Sequence, residues 1–324
     1  MLDRRHFLAG AGASLAVAAS GPASAQAWPS KPVRFIVPFV AGGGSDVAAR
    51  LLAEELRRVL GVPFVIENRP GLAGSLGADA AAKAEPDGYT IVIATPGVQM
   101  TNPFLYARLP YDAMKDLRPI VHVAQLPSVL VVHPSVPAKT TAEFIAHAKA
   151  NPGKLNFASN GPGSASHLAV ELFKTMAGID MIHVPYRGSG PALLDLVGGR
   201  VDCAIDSLTA MMPQVRDGKL RALGVSTAQR VSLEPNLPPI ADGLPGYDAF
   251  TLLYLTTGSA VPDAAVTKLN AAVNEILALP EIKRRFEEQG MLPTGGTPAE
   301  LQAVIETERV KWKRIIDVAG VKVE

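Results

Sequence analysis

A single cysteine among 324 residues leaves nothing for an intrachain disulfide to pair with. Charge of either sign is also missing as a surplus: 31 Lys plus Arg stand against 30 Asp plus Glu. A duplex-binding protein needs excess cations to displace counterions from phosphates, so nucleic acid is excluded as a partner. Aromatic residues make up only 6% of the chain, which argues against sugars, ligands that often stack on rings. No apolar run reaches the roughly 20 residues that span a bilayer, so no membrane-embedded segment is expected. What the chain does have is 48% hydrophobic residues, too many for a disordered protein, and a length that suits two domains.

Residues 1–27 read as an export signal. Arg4 and Arg5 form a positive start, Phe7 to Ala19 is a short apolar stretch, and A-x-A sites follow at Ala23-Ser24-Ala25 and Ala25-Gln26-Ala27. Arg4-Arg5-His6-Phe7-Leu8 resembles the twin-arginine pattern. Without Asp3, Arg4 and Arg5 the remaining chain carries 29 basic and 29 acidic residues and is formally neutral. No lipobox cysteine marks the cleavage site, so a soluble exported protein is expected, periplasmic in a Gram-negative cell.

Beyond the signal, short β-branched runs alternate with amphipathic helical stretches, the rhythm of parallel α/β sheets. Val33 to Val37, Val62 to Glu67 and Thr90 to Ala94 are expected strands, separated by helices near Asp46 to Leu60 and Ser75 to Ala84. Val129 to His133 is a further expected strand, and Thr140 with Glu143 a capping box. A second series follows: strands at Leu155 to Ala158, Met181 to Val184, Val201 to Ile205 and Leu223 to Ser226, with helices at Ala165 to Ala177, Pro191 to Val197 and Ala210 to Arg216. After a proline-rich connector, Pro235 to Pro245, the chain runs through Phe250 to Thr256 into two helices. The last has a Thr297/Glu300 capping box and stops at Gly320. Two α/β series joined by a returning chain imply two lobes with a cleft between them. In such sheets ligands sit beyond the carboxyl ends of strands.

Two strand-to-helix loops are glycine-rich. One is Gly42-Gly43-Gly44-Ser45-Asp46, where Ser45 is the expected helix cap; the other is Ser159-Asn160-Gly161-Pro162-Gly163-Ser164. Each would aim the unpaired N–H groups and positive dipole end of a helix at a carboxylate or phosphate, with no Arg or Lys required. The simpler alternative is that the glycines serve only their turns. Asp206, after the apolar run Val201 to Ile205, either accepts hydrogen bonds from a ligand or water or caps the next helix. Tyr186 and Arg187 either line the cleft or are ordinary loop residues.

Other chemistry fits poorly. Val47 replaces the third glycine of a dinucleotide fingerprint, and no G-K-[ST] ends a P-loop. Ser164, His167 and Asp206 are a notional hydrolase triad, but no G-x-S-x-G elbow surrounds the serine. The five histidines beyond the signal lack zinc-site spacing, so no metal is expected, and Cys203 reads as a small core residue.

Several segments resemble one family along essentially the whole mature chain. They include Pro38-Phe39 through Gly43 to Asp46, Glu67-Asn68-Arg69-Pro70-Gly71, Pro86-Asp87-Gly88-Tyr89-Thr90, Asn102-Pro103, Leu109-Pro110-Tyr111-Asp112, His183-Val184-Pro185-Tyr186 and Gly218-Lys219-Leu220-Arg221-Ala222-Leu223. The family is that of the tripartite tricarboxylate transporter substrate-binding proteins, or Bug receptors. The resemblance implies a type II periplasmic-binding-protein fold, two α/β lobes closing on a small carboxylate, and delivery to a two-subunit membrane permease. It implies no cofactor and no catalysis, and a monomer is expected. A receptor signalling to a sensor kinase is the alternative within binding proteins. By position it implies ligand contacts at Gly43, Gly44, Ser45, Asp46, Thr95, Ser159, Gly161, Gly163, Ser164, His167 and Asp206, to which Tyr186 is added from the loop reading. The expected lobes are 28–125 with 246–324, and 126–245. One segment departs from the family: Leu252-Leu253-Tyr254 and Thr257 to Pro262 stand where W-x-G and A-P-A-G-T-P are usual.

Overall fold

The computed structural model describes residues 28–323, so the export signal lies outside the described residues. β1 (Val33–Val37) lies between β2 (Phe64–Asn68) and β3 (Thr90–Ala94), parallel to both. Helix Gly44–Leu60 buries Ala48, Ala49, Leu52 and Leu56 and ends on Gly61, whose left-handed φ of +76° suits glycine. β5 (Asn156–Ser159), β6 (Ile182–Pro185) and β7 (Cys203–Ser207) form the parallel set of the second lobe. Its helices are Thr141–Ala150, Ala165–Ala177, Ser189–Val197 and Leu208–Arg216.

The connection between the two sets is antiparallel, which the parallel-sheet expectation did not include. β4 (Leu117–Val132) is one strand of 16 residues. Its first part, Leu117 to Pro127, pairs with β9 (Phe250–Gly258), and β9 also borders β3. Its last part, Ser128 to Val132, pairs instead with β7 and with β8 (Arg221–Val225). The sheet order is β2-β1-β3-β9-β4-β7-β5-β6, with β8 and the short β10 (Leu292–Pro293) also on β4. The sequence expectation covers only Val129 to His133 of this strand; the part before it contains Pro119 and Pro127, residues uncommon inside a sheet. Pro119 is tolerated because the ladder shifts register between it and Val121.

Other expectations are corrected locally. Three helices, not two, follow β9: Asp263–Ala278, Pro280–Glu287 and Pro298–Ala319. Leu279, extended at ψ 128°, breaks the first pair, as the residue before a proline tends to do. The Thr297/Glu300 capping box is formed in full. At Thr140 only half of the box exists: its hydroxyl accepts the Glu143 N–H, while the Glu143 carboxylate takes the N–H of Lys139. Asp206 lies inside β7 rather than after it.

One buried apolar cluster runs beneath both lobes, from Ile36 and Val92 to Phe144, Phe157, Phe173 and Tyr247, with Trp312 and Ile316 of the last helix joining it. That helix packs on β4 and on helix Ala165–Ala177. Cys203 is buried in its strand, and burial pushes its thiol pKa up.

Candidate ligand-binding cleft

The loop after β5 is built from its own side chains. Ser164, the N-cap of helix Ala165–Ala177, accepts the His167 N–H and donates its hydroxyl to Gly161 O at 2.7 Å. The Gly163 N–H donates to His167 Nδ1 at 3.0 Å, the Gly161 N–H to Ser159 Oγ at 3.2 Å, and the Asn160 N–H to Ser166 Oγ at 3.0 Å. Gly161 and Gly163 hold φ of +114° and +73°, which side chains rarely adopt. The Leu168 N–H goes to Ser164 O, which leaves the N–H groups of Ala165 and Ser166, the first two of the helix, without an acceptor among the described residues.

Two imidazoles brace this loop from below. With the Gly163 N–H bonded to Nδ1, His167 carries its proton on Nε2, which faces Glu171 Oε1 at 3.7 Å. Its ring stacks on His183 with centroids 3.9 Å apart and planes 9° from parallel. His183 Nε2 lies 2.6 Å from Ser159 Oγ. Burial, reinforced by His167, holds the His183 pKa down at about 4, so the ring is neutral at pH 7.

The loop before helix Gly44–Leu60 differs. Its N-cap is Gly43, without a side-chain cap bond, and Gly44, Ser45 and Asp46 already lie in the first helical turn. Ser45 therefore does not cap the helix. The buried Asp46 carboxylate accepts the Gly42 N–H at 2.9 Å, Arg50 Nε at 2.8 Å and Asn68 Nδ2 at 2.9 Å. The Arg50 bond leads the causes that lower its pKa to about 2. The protein's own anion thus sits beside this helix start, its backbone donor being Gly42, which lies ahead of the helix.

Between the lobes lies a cavity of about 250 Å³. Lobe 1 supplies Phe39, Ala73 and Thr95 to Gly97. The second lobe supplies Gly163, Ser164, Ala165, Leu168 and Ala169; Thr101 and Asn102, Ser128 of β4, Ala249 with Phe250 and Thr251 of β9, and Trp312 complete the wall. No lining side chain is ionisable. Of the residues named from sequence, Thr95, Gly163 and Ser164 reach this cavity. Gly43, Gly44, Ser45 and Asp46 do not line it, and Ser159, Gly161 and His167 stand behind the loop that does.

The remaining two named residues are engaged elsewhere. Tyr186 donates its hydroxyl to Asp195 at 2.8 Å, and burial, then Asp195, pushes its pKa up to about 12. Asp206 accepts from Asn160 Nδ2 at 3.3 Å and from the Ser207 N–H at 2.7 Å; burial raises its pKa. Ser207 is the N-cap of helix Leu208–Arg216, so Asp206 holds Asn160 and the cap residue without capping the helix itself. No Ser164–His167 side-chain bond of a hydrolase exists, since the Ser164 hydroxyl points to Gly161 O.

Sequence reasoning passed over several wall residues. Ala73 sits in a left-handed turn with Leu72, both at φ +47°, and Asn102 Nδ2 donates to Leu72 O, Ala73 O and Ser75 Oγ at 3.3, 3.1 and 3.0 Å. Such backbone persists only when its surroundings over-determine it; the bracketing glycines Gly71 and Gly74 were the available signal. Phe250 and Thr251 precede the segment that departs from the family. Tyr254, within that segment, is buried and donates to Thr95 O at 3.3 Å.

Two α/β lobes sharing a crossing strand around a cleft define a two-lobed solute-binding protein. The tripartite tricarboxylate transporter family receptor profile matches residues 48–321, and the chain belongs to that family. It is 37% identical over 97% of its length to the UPF0065 protein in the tcbD-tcbE intergenic region of Pseudomonas sp. (strain P51), covering 94% of that protein. It is 35% identical to Protein BugT of Bordetella pertussis, over 94% of each chain. Among solved structures, R. palustris Rpa4515 with adipate superposes with a TM-score of 0.78 at 38% identity, covering 91% of this chain and 99% of that one.

Proposed function

We propose that this chain is a periplasmic receptor that holds a small carboxylate between lobes 28–125 with 246–324 and 126–245, and delivers it to a membrane permease of the tripartite tricarboxylate type. The observation that carries the reading is the cavity wall, where Gly163-Ser164-Ala165 of one lobe meets Thr95 to Gly97 of the other without an ionisable side chain. A helix start with free N–H groups suits an anion there. Adipate in the R. palustris relative supports a carboxylate as that anion. Among the described residues no helix is long and apolar enough to cross a membrane, in keeping with a receptor that is not itself embedded beside its permease. Ligand contacts to both lobes favour the closed state by their extra free energy, and the closed form is what the permease reads. The role is binding, not catalysis, in keeping with a Ser164 hydroxyl committed to a backbone carbonyl.

A thermal-shift screen of small carboxylates tests this. A ligand at 100 times its Kd stabilises by roughly 2.7 kcal/mol, a shift of several degrees. A panel in which no carboxylate moves the transition would overturn the reading.

A further inference from the structure

We infer that His167 is a positioning residue for ligand binding: neutral, with its proton on Nε2, it fixes the cavity-lining turn Gly163-Ser164, and a second proton on the ring releases that turn. This rests on the carboxylate reading of the cleft, and it moves His167 from the ligand contacts that the family resemblance implies to the group that shapes them. Gly163, Ser164 and Ala165 line the cavity and His167 does not. Yet the Gly163 N–H is bonded to His167 Nδ1 at 3.0 Å, and the Ser164 hydroxyl accepts the His167 N–H at 3.3 Å. Ring and backbone of one residue thus hold both members of the turn.

A ring nitrogen that accepts a hydrogen bond loses that capacity when it is protonated. A proton taken from solvent onto Nδ1 would set two donors, Nδ1–H and the Gly163 N–H, against each other across 3.0 Å, and the turn would open. Glu171 Oε1, 3.7 Å from Nε2, balances the added charge, so acid acts on the turn rather than on the field at the ligand. The second ring extends the brace: His183 stacks on His167 at 3.9 Å and lies 2.6 Å from Ser159 Oγ, which accepts the Gly161 N–H at 3.2 Å. Burial, then His167, holds the His183 pKa at about 4, so His183 stays neutral where imidazoles ordinarily change charge, between about pH 5 and 8. That singles out His167 as the ring to follow. The charges that bear on the pair come from its own helix, Glu171 and Lys174, bonded to each other at 2.8 Å. On the elements packed against that helix the charged groups are engaged elsewhere: Asp202 accepts the Asn156 N–H, Asp206 holds Asn160, and Glu308 of the last helix pairs with Lys311. β5 and β9 carry no charged side chain.

Nitrogen NMR of the ligand-free receptor follows both groups at once. From about pH 7.5 to about pH 5 the Gly163 amide signal should move in step with the His167 ring as that ring takes its second proton. An amide that ignores the titration, or a ring that keeps one proton throughout, would overturn the inference. Calorimetric titration with adipate reads the consequence for binding. His167→Asn keeps an acceptor, Oδ1, in place of Nδ1 and cannot titrate. At the neutral end it should bind adipate at least about tenfold tighter than His167→Ala, which leaves the Gly163 N–H without its partner. Toward the acid end, wild-type affinity should fall at least about tenfold relative to the Asn variant; protonation of adipate itself weakens both proteins alike and cancels in that ratio. Equal losses in the two variants, or a ratio constant with pH, would overturn the inference and leave the carboxylate receptor standing. If no member of the carboxylate panel binds, the carboxylate reading falls, and the amide titration still decides the role of His167.

Discussion

In the helix that begins at Gly44 the first turn carries Asp46, which takes the Gly42 N–H and binds Arg50; the helix that begins at Ala165 has no acid in its first turn and is capped by a neutral serine. Both starts follow a parallel strand and a glycine-rich loop, and both carry the partial positive charge of a helix N-terminus. At the first, Asp46 takes the Gly42 N–H ahead of the helix, and with Arg50 and Asn68 it forms a clamp joining the loop to β2. The second spends its loop N–H groups on His167, Ser159 and Ser166 and keeps the helix start open to the cavity. Glycine content alone does not separate the two. An acid at the third helical position does.

The glycines test this difference most strongly. A Cβ on Gly163 would lie 2.9 Å from Val323 Cγ2 and 3.0 Å from Leu105 Cδ1, at a φ of +73°. Gly163→Val is expected to weaken carboxylate binding by roughly 100-fold or more and to lower Tm as well, read by calorimetric titration and thermal melts. Wild-type affinity in this variant would remove the turn from the site. Asp46→Asn comes next and acts on stability alone: about 2 kcal/mol lost at pH 7 in urea unfolding, with affinity within about twofold of wild type. The sign follows from a carboxyl lowered from 3.8 to about 2 in the fold. Its contribution is complete above about pH 4 and disappears as pH falls through 2, so the two unfolding curves should converge over that window. A gap that persists at pH 2 would place the effect elsewhere.

Ser164→Ala removes a cap, worth about 1 kcal/mol, and one hydroxyl from the cavity wall. A drop of about tenfold in affinity is expected, measured by the same titration. The smallest effect belongs to Gly43→Ala. Gly43 has φ −76°, and the nearest atom to an added Cβ is Val40 O at 3.6 Å. Stability should stay within about 0.5 kcal/mol and affinity should not change. A tenfold loss of affinity would return the first loop to the binding site.

Much of this was legible in the residues. Gly61, Gly178 and Gly320 end their helices in left-handed caps, Thr297 and Glu300 form their box, and helix Ala165–Ala177 begins and stops where its serine and glycine place it. Local signals of this kind act over a few residues. Ser128, Thr251 and Trp312 meet in one wall only because β4, β9 and the last helix converge, and no spacing records that. The engagement of Asp46 was equally hidden, because Asn68 reaches it from the neighbouring strand. A neutral chain must hold an anion without surplus cations, and of the two glycine-rich helix starts the one at Ala165 lines the cavity.

The unbroken run of β4 through both lobes also dictates how the cleft can move. Sliding one lobe past the other along the strand would shear ladders on both sides of it, whereas bending or twisting is cheap where the partners change from β9 to β7. That change falls at Pro127-Ser128, and Pro127 has no N–H to hold the strand straight. A closure of the two lobes is therefore expected to bend β4 here rather than slide along it. Ser128 lies at this change of partner and Thr251 pairs with Leu126 beside it, whereas Gly163 and Thr95 line the cavity from opposite lobes.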